Sequence, residues 1–295
     1  MAAHSTRLTR AVIAVLVAIV AIAARDAAPR AAEAPKRIIS LVPALTEMLF
    51  AIGSGPQVVG VSSFDDYPPE VKSLPRVGAL VDPDMERILS LRPDLVIVYG
   101  SQTAVETQLT RAGIRAYNYR HAGLAGVFST IRDLGNTVGR TRESEQVARQ
   151  IQQRLDSIKM RVAGLQRVRT LLVFERDLGS LRGLYASGGV GFMHDILGIV
   201  GGINVFADVS RESVQPSVET ILARAPDMIL EVRPTGLPRE RIPAERRVWE
   251  ALPSIPAVRK GQIHIVTDDY LVTPGPRVAQ AAEAIARLIH PEAFK

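Results

Sequence analysis

Aromatic side chains in loops or at the ends of predicted strands are the residues best placed to contact a ligand. Flat aromatic faces suit a macrocycle or an aromatic chelate and bury a large apolar area per residue. The side chains in such positions are Phe64, Tyr99, Tyr185 and Tyr270. We expect them to line a cleft, with packing in the core as the alternative for each. Trp249 follows helical spacing and is predicted to pack inside the protein.

A glycine-rich stretch from residue 187 to residue 191 lies between a predicted strand and a predicted helix. Backbone amides in such a position can bind an anionic group at the helix N-terminus. A flexible turn without a charge-specific role is the alternative. In either case we expect Gly188 to line the cleft.

Two glutamates, Glu86 and Glu219, occupy equivalent positions in an internal repeat. The segment 85–97 aligns with the segment 218–230, so that Glu86 coincides with Glu219 and each segment contains a Pro-Asp pair. An exposed acid near the start of a helix is favoured by the helix dipole alone. The functional alternative is one carboxylate in each half of the chain, presented to a symmetric partner.

Catalytic chemistry has little support in the sequence. The histidines lack the H-E-x-x-H spacing of a zinc site, there is no G-x-S-x-G motif, and no feature pairs two carboxylates. The sequence contains no cysteine, so we expect no disulfide, thiolate zinc site, catalytic thiol or lipid attached to an N-terminal cysteine. We therefore predict a binding protein without catalytic residues, metal or cofactor, with an enzyme as the alternative.

The elements that must position these residues follow a βαβ order in both halves of the chain. Continuous apolar strands alternating with helices are typical of a parallel sheet covered on both faces. We predict lobes at residues 35–122 and 167–295, joined by a helical segment at 123–166 that is interrupted at Gly135 and Gly139 and restarts at Thr141. The fold class is α/β, with mostly parallel sheets in two similar lobes and one long linking helix. A ligand should bind between the lobes, beyond the carboxyl ends of the strands.

The N-terminal segment, residues 1–34, differs from the rest of the chain. Arg7 and Arg10 precede an apolar run over residues 11–24, which is shorter than the roughly 20 residues of a membrane span. This pattern favours a signal peptide and a periplasmic protein, with an uncleaved membrane anchor as the alternative. Charges elsewhere are scattered, without a basic stripe interleaved with aromatic residues, so we expect no nucleic-acid partner.

Several stretches resemble the class of periplasmic binding proteins for cobalamin, heme and siderophores. They are residues 37–47, 59–68 and 86–98 and the pair Pro226-Asp227. The resemblance implies two Rossmann-like lobes, a rigid linking helix and modest closure on binding. It implies delivery of a corrinoid, heme or ferric siderophore to an ABC permease dimer with its ATPase, and we expect a monomer. A binding module of a sensor or receptor is a further alternative.

The resemblance also implies roles for individual residues. Glu86 and Glu219 are expected to dock to arginines of the two permease subunits. Leu80 and Ser213 stand where cobalamin-binding members have tryptophans, which leaves other corrinoids, siderophores or heme open as ligands. No Tyr, His and carboxylate cluster for direct ferric coordination is evident. The residues expected to contact the ligand are Pro43, Phe64, Leu80, Tyr99, Tyr185, Gly188, Asp269 and Tyr270.

Overall fold

The computed structural model describes residues 33–233 and 237–295. The chain divides into two compact units, residues 1–34 and residues 35–295, and the fold below is that of the second unit. The expected signal peptide lies outside the described residues. Within those ranges, every helix is too short or too polar to cross a lipid bilayer.

The first lobe contains a sheet of four parallel strands in the order β2-β1-β3-β4. Its two central strands are continuous apolar runs because helices cover both faces of the sheet. Helix α1 begins at Pro43, whose fixed φ suits the first helical turn. The strands are β1 (Ile38–Ser40), β2 (Val58–Val61), β3 (Leu95–Tyr99) and β4 (Arg115–Tyr119), and the helices are α1 (Pro43–Ala51), α2 (Met85–Ser90) and α3 (Thr103–Arg111).

Two helices, rather than one, link the lobes: α4 (Leu124–Thr137) and α5 (Thr141–Val162). The chain turns between them at Gly139, whose φ of 73° favours glycine. The helices pack closely because Gly135 has no side chain to collide with Ser144 of α5. The predicted interruption at Gly139 and the restart at Thr141 are confirmed, whereas the predicted interruption at Gly135 is wrong, because α4 continues through that residue to Thr137.

The second lobe contains a sheet of six strands in the order β10-β9-β5-β6-β8, with β7 also paired to β5. Strands β7 and β9 run parallel to β5, and β10 runs parallel to β9, whereas β6 and β8 are joined by antiparallel pairing. The strands are β5 (Val168–Glu175), β6 (Tyr185–Ser187), β7 (Gly202–Asn204), β8 (Ser213–Val214), β9 (Met228–Val232) and β10 (Ile263–Val266).

The helices of the second lobe complete a core that is continuous with the linking helices. One apolar cluster includes buried residues of α1, α4, α5, α6 and α10, so the linking helices pack against both lobes. The predicted α/β class with two lobes and mostly parallel sheets is confirmed. The helices are α6 (Phe192–Ile199), α7 (Val218–Arg224), α8 (Ile242–Arg247), α9 (Pro256–Arg259) and α10 (Val278–Ile289).

The internal repeat extends to backbone geometry. Arg92, which follows α2, and Ala225, which follows α7, have φ of 46° and 43° and are the non-glycine residues with positive φ in the described ranges. Both precede the proline of a Pro-Asp pair, where right-handed helical backbone is disfavoured. At the other end of each helix, the side chains of Asp84 and Ser217 accept a hydrogen bond from a backbone amide of the first turn. The two helices therefore begin and end alike.

Candidate ligand-binding cleft

The carboxyl ends of all four strands of the first sheet meet at the edge that faces the second lobe. The residues that follow them line a cavity of about 570 Å³, which is the place where open α/β sheets bind ligands. The lining residues are Leu41, Val42, Pro43, Ala44, Ser62, Phe64, Leu80, Val81, Tyr99, Tyr119, His121, Phe192, Val272, Thr273 and Pro274.

A second cavity of about 310 Å³ lies next to the first, toward the second sheet. The two cavities share three lining residues, His121, Phe192 and Val272, so they form two compartments of one cleft between the lobes. The remaining residues of the smaller compartment are Phe174, Ser187, Val190, Gly191, Met193, Glu212 and Ser213.

A row of rings crosses the cleft from the first lobe to the second. Tyr99 meets Tyr119 edge to face, with ring centroids 5.7 Å apart, and His121 meets Phe192 in the same way at 5.6 Å. Edge-to-face pairs stabilise such contacts beyond simple burial. The Tyr119 hydroxyl lies 3.0 Å from Nδ1 of His121, which connects the two pairs. This row therefore provides a rigid, largely apolar floor.

Burial keeps the phenol at the centre of this row neutral. Burial is the largest cause that raises the pKa of Tyr119 to about 12, and the neighbouring Tyr99, Tyr117 and Glu212 add to it. The Tyr119 hydroxyl is therefore protonated at any physiological pH. It provides a hydrogen-bonding group rather than a charge.

The mouth of the larger compartment exposes apolar side chains to water. Phe64 is 68% exposed, Val81 is 91% exposed and Leu80 is 36% exposed. All three line the same compartment, so the exposure is a contiguous feature rather than scattered single residues. A contiguous exposed apolar patch of this kind marks an interaction site.

Four of the eight residues expected to contact a ligand line the larger compartment. These are Pro43, Phe64, Leu80 and Tyr99. The structure brings them together because each follows, or ends, a parallel strand of the first sheet or lies in the loop that covers it. Their contact with a ligand stays a prediction.

The other four expected residues lie outside the lining of both compartments. Tyr185 begins β6 with its side chain 40% exposed. Gly188 packs against the backbone of Arg211. The Asp269 carboxylate accepts hydrogen bonds from Arg277, which lowers the pKa of Asp269, and Tyr270 packs partly buried against the core.

Several residues that line the cleft were not predicted from the sequence. Tyr119 ends β4 just as Tyr99 ends β3, so the rule that found Tyr99 applies equally to Tyr119. Phe192 begins the helix after the glycine-rich stretch, which is a second usable signal. For Val272 and the two residues after it, no local pattern in the sequence indicates a position in the cleft.

Glu86 and Glu219 are both exposed, and each is the second residue of its helix. Their positions agree with the internal repeat. A hydrogen bond with Ser217 is the main cause that lowers the pKa of Glu219, so this carboxylate is ionised at neutral pH. Their docking role stays a prediction.

No group of three or more His, Cys, Asp or Glu side chains in the described ranges is arranged to hold a metal ion.

Comparison with known proteins places this geometry in a family. The family model described as periplasmic binding protein matches residues 38–270. An ABC transporter substrate-binding lipoprotein of Bacillus subtilis is 30% identical over 266 residues, covering 88% of this chain and 82% of the relative. The vitamin B12-binding protein of Salmonella paratyphi A is 30% identical over 258 residues, covering 87% and 91%.

A solved structure agrees with these relatives. The periplasmic heme-binding protein of Roseiflexus sp. RS-1, in its apo form, superposes with a TM-score of 0.73 at 27% identity, covering 88% of this chain and 99% of that chain. The family match spans both lobes and the cleft between them. The chain therefore belongs to the periplasmic binding protein family.

Proposed function

We propose that this protein is an extracytoplasmic solute-binding protein that delivers a corrinoid or an iron chelate to an ABC importer. The observation that carries the proposal is the cleft at the carboxyl ends of the first sheet's strands, with its aromatic floor and exposed apolar mouth. A flat macrocycle would bury these faces when it binds.

The size of the cleft supports a large ligand. The larger compartment measures about 570 Å³ and continues into the smaller one of about 310 Å³, and sites for drug-sized ligands occupy roughly 300–1,000 Å³. The relatives named for vitamin B12 and for heme indicate metal chelates. We therefore place corrinoids, heme and ferric siderophores in the candidate ligand class.

The proposal is for binding and delivery without catalysis. The lining contains one histidine, His121, and one carboxylate, Glu212. Nδ1 of His121 lies 3.0 Å from the Tyr119 hydroxyl. Because the pKa of Tyr119 is raised to about 12, its hydroxyl stays protonated at neutral pH and is a poor general base. This arrangement favours orientation of a ligand over proton transfer.

Glu86 and Glu219 are proposed to dock to the two permease subunits. The helices that carry them begin and end alike, which suits a partner with two-fold symmetry. Exposed charges of this kind set register and orientation in a complex more than its affinity. The same proposal places the protein in the periplasm as a monomer, with lobes at residues 35–122 and 167–295 joined by the segment 123–166.

The docking proposal is tested by the charge reversals Glu86→Arg and Glu219→Arg. We expect each to lower uptake by at least about tenfold, since juxtaposed like charges cost several kcal/mol, while affinity for the ligand stays unchanged. The control is Glu250→Arg, an exposed glutamate of the second lobe that lines neither compartment. Normal uptake by both reversal variants would show that the docking assignment is wrong.

A further inference from the structure

The cleft contains few charged side chains, and they are of one sign. Among the residues that line its two compartments, Glu212 is the one acidic residue, and neither compartment is lined by Lys or Arg. The neighbouring Arg211 is exposed and lines neither compartment. Glu212 is itself exposed, and it lines the smaller compartment together with the apolar residues Phe174, Val190 and Phe192. Low-dielectric walls of this kind strengthen the field of a nearby charge.

The backbone around Glu212 is held in place by the glycine-rich stretch. Its carbonyl oxygen accepts a hydrogen bond of 3.1 Å from the Gly188 amide, and it directly precedes β8. Its side chain passes over Gly191, with Cγ 3.7 Å from the point that a Cβ on Gly191 would occupy. That distance is an ordinary van der Waals contact, so the Glu212 side chain packs beside Gly191 at the edge of the smaller compartment.

The carboxylate itself is available to a ligand. In the part of the chain that the structure describes, the Glu212 carboxylate has neither a hydrogen-bond donor nor an ion-pair partner. Asp195, by contrast, accepts a hydrogen bond from the Leu124 amide at 2.8 Å. Glu212 is therefore an unpaired acceptor at the edge of a cavity.

The field of this carboxylate crosses the cleft. Glu212 lies in the second lobe, yet it is one of the groups that raise the pKa of Tyr119 in the first lobe. Burial, Tyr99 and Tyr117 contribute more, but the effect places Glu212 within electrostatic reach of the floor of the larger compartment. A ligand lying on that floor would experience the same negative potential.

We infer that Glu212 makes the cleft selective for chelates of neutral or positive net charge, by pairing with a cationic or N–H donor group that enters the smaller compartment. This inference rests on the proposed function and narrows its ligand class. A ligand carboxylate in the cleft would lose hydration and meet a like charge, with no basic lining residue to compensate it. Amide-rich corrinoids and ferric hydroxamates avoid that penalty, whereas heme, with its two carboxylates, does not.

The experiment titrates the full-length protein with three chromophoric chelates and follows their visible spectra. Aquocyanocobinamide carries one positive charge, cyanocobalamin is neutral overall, and hemin carries two carboxylates. We expect affinity to fall in that order. We expect Glu212→Gln to weaken cobinamide binding about tenfold and to leave cyanocobalamin binding nearly unchanged, and Glu212→Arg to strengthen hemin binding.

Glu250→Gln is the matched control, because it removes the same charge from an exposed site of the same lobe outside the cleft. It should leave all three affinities unchanged. Tighter binding of hemin than of cobinamide by the wild type, or equal cobinamide affinity in wild type and Glu212→Gln, would overturn the inference alone. Failure of all three chelates to bind would overturn both the inference and the proposed function.

Discussion

At the scale of single residues, Phe64 stands out because it exposes a large apolar surface next to an apolar cavity. Its side chain is 68% exposed, and it lines the larger compartment together with Tyr99. Exposed apolar surface at the mouth of a cavity is typical of an interaction site, so we expect a ligand to cover Phe64.

Replacing Phe64 should weaken binding without weakening the fold. Burying a phenylalanine side chain contributes about 1.5–3 kcal/mol, so we expect Phe64→Ala to raise the dissociation constant by roughly tenfold to a hundredfold. Removal of an exposed side chain should change the free energy of unfolding by less than about 0.5 kcal/mol. Titration with the chelate and urea unfolding measure the two quantities.

Tyr185→Ala is the informative control for Phe64. Tyr185 is also an exposed aromatic residue that the sequence marks as a ligand contact, but it lies outside the lining of both compartments. We expect its removal to leave affinity unchanged. A loss as large as that for Phe64→Ala would contradict the position assigned to the ligand.

Asp65, next to Phe64, should make stability depend on pH. Its side chain is buried. Burial is the main cause that raises the pKa of Asp65 to about 7, with Thr46 and Arg76 opposing the shift. The pKa of an aspartate in an unfolded chain is about 3.9. Between about pH 4 and pH 7, Asp65 therefore binds more protons in the folded state than in the unfolded state.

The sign of this dependence follows from proton linkage. Because the folded state binds more protons, the free energy of unfolding falls as the pH rises from about 4 to about 7. We expect Asp65→Asn to be more stable than wild type at pH 8, by up to about 4 kcal/mol, and to differ little at pH 4.5. Urea unfolding at both pH values tests this, with the exposed Asp66→Asn as control. An unchanged pH dependence in Asp65→Asn would be the contrary result.

The candidate site was partly predictable from residue type and position. An aromatic residue at the end of a parallel strand identified Tyr99 because the carboxyl ends of all strands in a parallel sheet meet at one edge. Tyr185, which was selected because it precedes the glycine-rich stretch, begins β6 and lies outside the lining of both compartments. Its contact with a ligand stays a prediction. Glu212 had no local signal, since its position depends on contacts with the distant Gly188 and Gly191.

At the scale of elements, a buried ion pair joins α1 to the start of α10. Arg277 donates to both carboxylate oxygens of Glu47, with Nε 2.8 Å from Oε2, and both side chains are nearly buried. Burial raises the pKa of Glu47, because an ionised carboxylate is costly away from water. The ion pair with Arg277 offsets this desolvation cost.

Breaking this pair should destabilise the protein. We expect Arg277→Met to lower the free energy of unfolding by about 3 kcal/mol at pH 8, because it leaves Glu47 buried without a partner. Addition of Glu47→Gln should recover part of that loss, as measured by urea unfolding of the single and double variants. Arg154→Met is the control, because its 3.6 Å pair with Glu283 is solvent-exposed and should contribute less than about 1 kcal/mol. Equal losses in the two arginine variants would refute the role given to burial.

Two alanines, Ala223 inside α7 and Ala225 at its C-terminal end, allow a test in which the same substitution has opposite effects. Ala225 adopts a left-handed conformation with φ of 43°, which costs an L-residue roughly 1–2 kcal/mol. We expect Ala225→Gly to raise the free energy of unfolding by about 1 kcal/mol. Ala223→Gly, inside α7 and exposed, should lower it by about 0.5–1 kcal/mol. Thermal or urea unfolding compares them, and destabilisation by both would contradict the assigned backbone conformation.

Most elements could be predicted because they have a clear period or a clear boundary. The repeat around Glu86 and Glu219 located two helices and the strands after them, and glycines marked the break between α4 and α5. Strands β6, β7 and β8 were not predicted, because each has only two or three residues. Strands that short show no hydrophobic period, and they form through pairing with residues distant in sequence.

At the scale of the whole molecule, two similar lobes face each other across a cleft that contains aromatic rings and a single charge. The linking helices pack against both lobes in one continuous core, so the relative position of the lobes is held by packing rather than by a flexible connection. This arrangement presents the cleft on one side of the packed helices. It favours a site that is largely formed before the ligand arrives.

The central claim is that this cleft holds one metal chelate, and equilibrium titration of the purified protein tests it most directly. Wild type and the double variant Phe64→Ala/Leu80→Ala are titrated with cyanocobalamin, a ferric hydroxamate and hemin while the visible spectrum is recorded. The account predicts saturation at one chelate per protein for at least one compound and roughly a hundredfold loss in the double variant. Saturation by none of the three, or unchanged affinity in the double variant, would contradict it.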